Sequence, residues 1–162
     1  MWLYDRRMIL LGATALGACG FTPVYGPQGG GGALLNAVAL PDPNDDTGYH
    51  FNRRFEERLG RGGPSAPYRL DLRIQTDEQD MGSTSAGTTT RYRLIGRVFY
   101  TLVEAGTAKT LLQGRTNAFT GYSSTGSTVA TRAAETDALE RLMVLLADQV
   151  IDDLLLSGIT AS

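Results

Sequence analysis

Tyr68-Arg69-Leu70-Asp71-Leu72-Arg73-Ile74-Gln75-Thr76 alternates strictly, with Tyr68, Leu70, Leu72 and Ile74 on one side and Arg69, Asp71, Arg73 and Gln75 on the other. Side chains alternate across a strand, so a period of two specifies a sheet with one packed face and one wet face. Two later runs repeat the pattern. In Arg91 to Val103, Tyr92, Leu94, Val98, Tyr100 and Leu102 share a side with Gly96, while Arg91, Arg93 and Arg97 take the other, which turns apolar at Phe99. Leu111 to Tyr122 alternates less cleanly and carries Gln113, Arg115 and Asn117 on one side. Glu104 to Lys109 is short enough to be a hairpin connection between the last two. Asp77 to Thr90, rich in Ser, Thr and Gly, predicts a long polar loop.

Outside these strands the period changes. Ala33 to Leu40 alternates weakly, with Leu34, Val38 and Leu40 on one side, and stops at Pro41, which predicts a short first strand. From about Thr47 to Leu59, Phe51, Phe55 and Leu59 fall at i, i+4 and i+8 and form one face of a helix. Asp45 or Asp46 can cap its start and Gly60 suits its stop. A long closing helix covers about Thr128 to Leu156. Leu139, Leu142, Met143, Leu146, Val150 and Leu154 make its apolar stripe, and Asp137, Arg141, Asp148 and Asp152 lie on the far side. The order β-α-β-β-β-α links the first two strands through a helix, hence in parallel, and the rest by hairpins. The expected fold is α+β, a two-layer sandwich with a four-stranded mixed sheet and both helices packed on its Tyr/Leu face.

The start of the chain addresses it. Arg6 and Arg7 precede an apolar run from Met8, and Leu16-Gly17-Ala18-Cys19 places a branched apolar residue and two small ones before a cysteine. The run is shorter than the about 20 residues that span a bilayer and has the layout of a secretory signal. Leu16 to Cys19 looks like a bacterial lipobox, in which cleavage precedes the cysteine and that residue is acylated. Cys19 is also the single cysteine, which removes disulfide and Cys-metal chemistry and leaves one thiol in an exported chain for acylation to explain. The competing readings are a buried free cysteine and an uncleaved anchor; the latter leaves the following domain in the same compartment. Residues 1–18 are thus expected to be a signal peptide, 19–32 a lipidated N-terminus and flexible tether, and 33–162 a single domain. Gly20, lacking the aspartate that retains lipoproteins on the inner membrane in the best-known sorting system, favours the outer membrane.

Charge and motif exclude several functions. The signal carries Arg6, Arg7 and Asp5, so its removal takes the formal charge from −2 to −3, no footing for a general polyanion binder. Nucleic acid is therefore not an expected partner. His50 is the single histidine, without a nucleophile or acid in a catalytic spacing, and Gly29 to Gly32 precedes a strand where a phosphate-cradling loop must precede a helix. Asp152 and Asp153 are adjacent on a helix and point apart. No active site, metal site or cofactor site is read. The polar sheet face is the exception: Arg69, Arg73, Arg91, Arg93, Arg97 and, if register allows, Arg115 share it, opposed clearly by Asp71. A solvated face would show the same alternation, but guanidinium forks suit phosphates and carboxylates.

With the lipobox in place, Cys19-Gly20-Phe21-Thr22-Pro23-Val24-Tyr25-Gly26 resembles the Cys-Gly-Phe-x-Pro-Leu-Tyr-Gly opening of the LptE family of lipopolysaccharide-assembly lipoproteins, with Val24 in place of the common Leu. The order and length of the elements agree with that family over essentially the whole chain. The resemblance implies a non-enzymatic lipoprotein of the cell outer membrane, anchored through Cys19 on the periplasmic side. It implies a plug for the lumen of an LptD-type β-barrel, assisting barrel assembly and delivery of lipopolysaccharide to the outer leaflet. Arg73, Arg91, Arg93, Arg97, Lys109 and Arg115 would then be candidate contacts to lipid A phosphates or barrel carboxylates. The alternative is a periplasmic accessory lipoprotein of a lipid-transporting ABC system, whose partner would be an inner-membrane complex.

Overall fold

The alternation that begins at Tyr68 becomes three long antiparallel strands laid over two helices. A computed structural model describes residues 31–83, 89–124 and 126–159; the signal, Cys19 and the tether as far as residue 30 lie outside them. In chain order the elements are α1 (Gly31–Leu34), β1 (Val38–Ala39), α2 (Asp46–Leu59), β2 (Tyr68–Ser83), β3 (Thr89–Glu104), β4 (Thr110–Ser123) and α3 (Thr128–Leu156). The sheet order is β1-β2-β3-β4. β1 runs parallel to β2 through Val38↔Tyr68, and β2–β3 and β3–β4 are antiparallel. The expected α+β sandwich with a mixed four-stranded sheet is the observed one.

One face of the sheet carries the core. Tyr68, Leu70, Leu94, Val98, Tyr100 and Leu102 pack against Phe51, Phe55 and Leu59 of α2 and a stripe on α3 that includes Leu142, Met143, Leu146, Val150 and Leu154. The stripe also takes in Ala138, Ala147 and Ile151, while Leu139 sits at its margin. Each α2 anchor is fully buried, worth about 1.5–3 kcal/mol apiece relative to exposure. Asp45 caps α2, its Oδ1 accepting from Gly48 N at 2.7 Å and from Thr47 Oγ1 at 2.6 Å. The Thr47 and then the Gly48 bond hold this carboxyl below the usual carboxylate range. Gly60, at φ +76, ends α2 in the left-handed region that glycine adopts freely.

Three expectations are corrected. The first strand is two residues long; Gly31–Leu34 forms a helical turn instead, and Leu34 is buried as the first residue of the core. The long polar loop from Asp77 to Thr90 is mostly strand, because β2 continues to Ser83 and β3 begins at Thr89. Residues 76 to 81 are exposed on both faces, so this part of the hairpin has no apolar side to reveal its period. Finally, Asp148 and Asp152 do not occupy a solvated far side of α3. They face α2, where Arg54 and Arg58 reach them.

Candidate functional site

Register decides which side chains share the open sheet face. Across the three long strands the rows read Arg73↔Phe99↔Arg115, Gln75↔Arg97↔Asn117, Asp77↔Ile95↔Phe119 and Gln79↔Arg93↔Gly121, with Gly82↔Arg91↔Ser123 at the distal end. Since paired residues point to the same side, Arg73, Arg91, Arg93, Arg97 and Arg115 all project from this one face. The register condition on Arg115 is met. Lys109 is elsewhere: it lies in the β3–β4 turn, whose Ala108 has φ +57, at the end of β3 remote from Arg91. With about 3.4 Å per residue, the strand length from Arg91 to the turn exceeds 40 Å, so Lys109 belongs to no common site with Arg91 and Arg93.

The face is less uniformly basic than its sequence implied. Arg69 Nε donates to Asp71 Oδ1 at 2.9 Å, and that bond, then the aspartate's charge, raises the guanidinium pKa. Arg97 is paired with Asp77, which joins the face because β2 is longer than expected. For Arg73, Arg91, Arg93 and Arg115 no carboxylate stands within ion-pair distance among the described residues. Two of these lie instead over aromatic rings: Arg73 over Phe99, 4.7 Å from its centroid, and Arg93 over Phe119, 5.2 Å away.

Phe119 is the residue that sequence reading missed. It is 66% exposed, on the parity of Arg115 and Asn117 where polar groups are expected. With Met81, Arg91 and Arg93 it borders a shallow depression of about 390 Å³ at the distal end of the face. The signal was available in retrospect, as a large aromatic on the polar parity of a strand. An apolar floor rimmed by guanidinium groups matches an amphiphile with anionic head groups, or an acidic wall with apolar residues between its charges.

On the opposite side of the molecule most cations are held in ion pairs. Arg54 donates through Nε and Nη2 to the two oxygens of Asp148 at 2.9 and 3.0 Å, and Arg58 Nη1 adds a third bond at 3.1 Å. Arg58 also reaches Asp152 at 3.2 Å, and Arg53 pairs with Glu140. These contacts join α2 to α3 and leave the helical layer with few unmatched charges to offer a ligand. Among the described residues no group of His, Cys, Asp and Glu could hold a metal ion, and no helix is long and apolar enough to cross a membrane.

The model of the family described as LptE, lipopolysaccharide-assembly, matches residues 35–154. No curated protein matches the chain. Among solved structures it resembles a protein of Caulobacter crescentus CB15 described as a lipoprotein, at 22% identity and a TM-score of 0.65, over 79% of this chain and 94% of that one. It also resembles the minor lipoprotein of Acinetobacter baumannii (15% identity, TM-score 0.54, 72% and 87% covered). Rare lipoprotein B of Shewanella oneidensis is a third (11% identity, TM-score 0.53, 72% and 90% covered). At these identities the structural likeness shows the fold alone.

Proposed function

The chain belongs to the LptE family of lipopolysaccharide-assembly proteins, and from that premise we propose that it plugs an LptD-type outer-membrane β-barrel and works with it to deliver lipopolysaccharide to the outer leaflet. As a family member it is a non-catalytic lipoprotein, lipid-anchored to the outer membrane and facing the periplasm. In the proposed arrangement residues 1–18 direct export, acylated Cys19 holds the membrane, and a tether that ends where α1 begins at Gly31 gives the domain reach to the barrel. Several acyl chains, at about 0.8 kcal/mol per buried methylene, make that attachment stable.

The observation that carries the reading is the division of charge between the two layers. Helix-side cations other than Arg132 are matched by helix-side acids, whereas Arg73, Arg91, Arg93 and Arg115 stand on the sheet face without carboxylate partners among the described residues. A polar barrel interior or the phosphates of lipid A would supply the missing anions. Arg97, already held by Asp77, is a weaker contact, and Lys109 would meet a different part of the partner.

The test is a mild-detergent pull-down of the C-terminally tagged, full-length lipoprotein from its own membranes. Stoichiometric recovery of an outer-membrane β-barrel is the expected result. Recovery of an inner-membrane ATPase and permease would instead assign the protein to a lipid-transporting ABC system. Charge reversal of Arg91, Arg93 and Arg97 together then separates the roles of the face: unchanged lipopolysaccharide binding would remove the lipid part of the proposal.

A further inference from the structure

We propose that Arg6 and Arg7 form the recognition site for an export machinery that carries folded domains, so that this chain completes its fold before it crosses the inner membrane. The proposal rests on the signal reading of residues 1–18 and is independent of what the domain does after export.

Two kinds of secretory signal begin with positive charge, and they use it differently. A signal for threading an unfolded chain needs net charge ahead of its apolar run, from arginine or lysine at any position. A twin-arginine signal needs two adjacent arginines close against that run, because its receptor reads the pair itself. In this chain the two cations are adjacent, and only Met8 separates them from Ile9-Leu10-Leu11. Arginine is the chain's usual cation, with Lys109 its one lysine, so the information lies in adjacency and position.

Asp5 carries the argument further. It stands next to Arg6 and cancels half of the side-chain charge ahead of the run. That weakens a signal read by net charge, yet leaves two guanidinium forks for bidentate bonds to a receptor's carboxylates. The apolar run is also mild, since six of the eleven residues from Met8 to Ala18 are glycine, alanine or threonine. Such a run offers little to a receptor that reads hydrophobicity and shifts recognition to the arginine pair.

The domain meets the conditions for transport as a finished body. Cys19 is the single cysteine and precedes it, so no disulfide within the domain waits for an oxidising compartment. Its core is one cluster that takes in Leu34 of α1, Leu70 and Leu102 of the sheet and Leu146 and Leu154 of α3. All of these side chains come from this chain, so the fold can close before export. Cys19 is separated from α1 at Gly31 by a segment long enough to keep the signal clear of the folded body. Residues 19–30 span up to about 40 Å when extended, so Cys19 can reach an acylating enzyme in the membrane while the domain stays closed.

The test follows the full-length, C-terminally tagged chain in its own cells by a pulse label. The readout is conversion of the precursor to the shorter, acylated form in the membrane fraction. Arg6→Lys with Arg7→Lys keeps every charge and is expected to lower conversion by roughly tenfold or more, because an ammonium cannot make the fork contacts. Asp5→Asn, which raises the net charge, is expected to leave conversion unchanged. Leu146→Asp sets a carboxylate in the core against Gly96 of β3 and is expected to hold the chain back as precursor, since unfolded cargo is refused. Wild-type conversion of the Arg6→Lys, Arg7→Lys chain overturns the export route. So does faster conversion of Asp5→Asn, or wild-type conversion of Leu146→Asp. Cys19→Ala separates that result from a failure of the signal reading: a chain still acylated and shortened without Cys19 would overturn the signal reading, and the proposal with it.

Discussion

A methyl group built on Gly96 of β3 would lie 2.6 Å from Leu146 Cδ1 and 3.1 Å from Leu142 Cδ2. The missing side chain is thus the space into which α3 settles, and the apolar alternation of Arg91 to Val103 showed which face Gly96 shares without showing what presses on it. Gly96→Val is expected to destabilise the fold by about 1–3 kcal/mol through overpacking, read as a shift of the urea midpoint. Gly63→Ala, where nothing stands within 4 Å, should stay within about 0.5 kcal/mol. Equal midpoints for the two would mean that α3 does not rest on Gly96. Tyr100, two places further along the same face beyond Val98, brings a hydroxyl into the core. Its hydroxyl donates to Asp153 Oδ2 at 2.7 Å, and burial followed by that bond pushes the phenol pKa upward. Tyr100→Phe should cost about 1 kcal/mol in the same assay. Sequence reading assigned Tyr100 to the core correctly but dismissed Asp153 as one of two diverging acids. The bond spans 53 positions, a distance at which periodicity says nothing.

At the scale of elements, the contact between α2 and α3 depends on Asp148. Burial works to raise this carboxyl, but the bonds from Arg54 and Arg58 outweigh it and hold the pKa below the usual range. A folded-state pKa below the unfolded value gives stability that is complete above the unfolded value and is lost as pH falls through the folded one. Asp148→Asn is therefore expected to destabilise the domain at neutral pH by about 1–2 kcal/mol, through loss of a bidentate, part-buried pair. That difference should shrink as the wild-type carboxylate protonates below about pH 4. A constant difference across the whole pH range would remove the ion pair as its cause. Helical periodicity placed Asp148 off the apolar stripe, which is correct. It could not show that α2 lies along that flank, because the partner of a charge is set by packing between elements. The same reasoning explains the strands. Tyr68 to Ile74 was legible because helices cover one of its sides; residues 77 to 81 were not, because water touches both. β1 escaped for another reason, since two residues are too few to establish any period.

At the scale of the whole molecule, the two layers divide stability from recognition. The helices close their charges on each other, and the sheet face keeps several guanidinium groups free of carboxylates while spacing them with Phe99 and Phe119. If this face meets an anionic partner, Arg73 and Arg115, which flank Phe99 in one row, should matter to binding and hardly to folding. The double variant Arg73→Glu, Arg115→Glu is expected to keep its thermal midpoint within about 2 °C, as exposed charges without partners contribute little. Its retention by the barrel or by lipopolysaccharide should fall several-fold. The wild-type association should also weaken between about 0.01 M and 0.1 M salt, where the screening length shortens from roughly 30 to 10 Å, and the double variant should show a flatter dependence. Arg97→Ala provides the contrast, since it breaks an ion pair within the domain and leaves Asp77 exposed on the same face. A double variant that binds with wild-type strength and the wild-type salt slope would place the partner against another surface, and the free guanidinium row would then be no more than the wet side of a one-sided sheet.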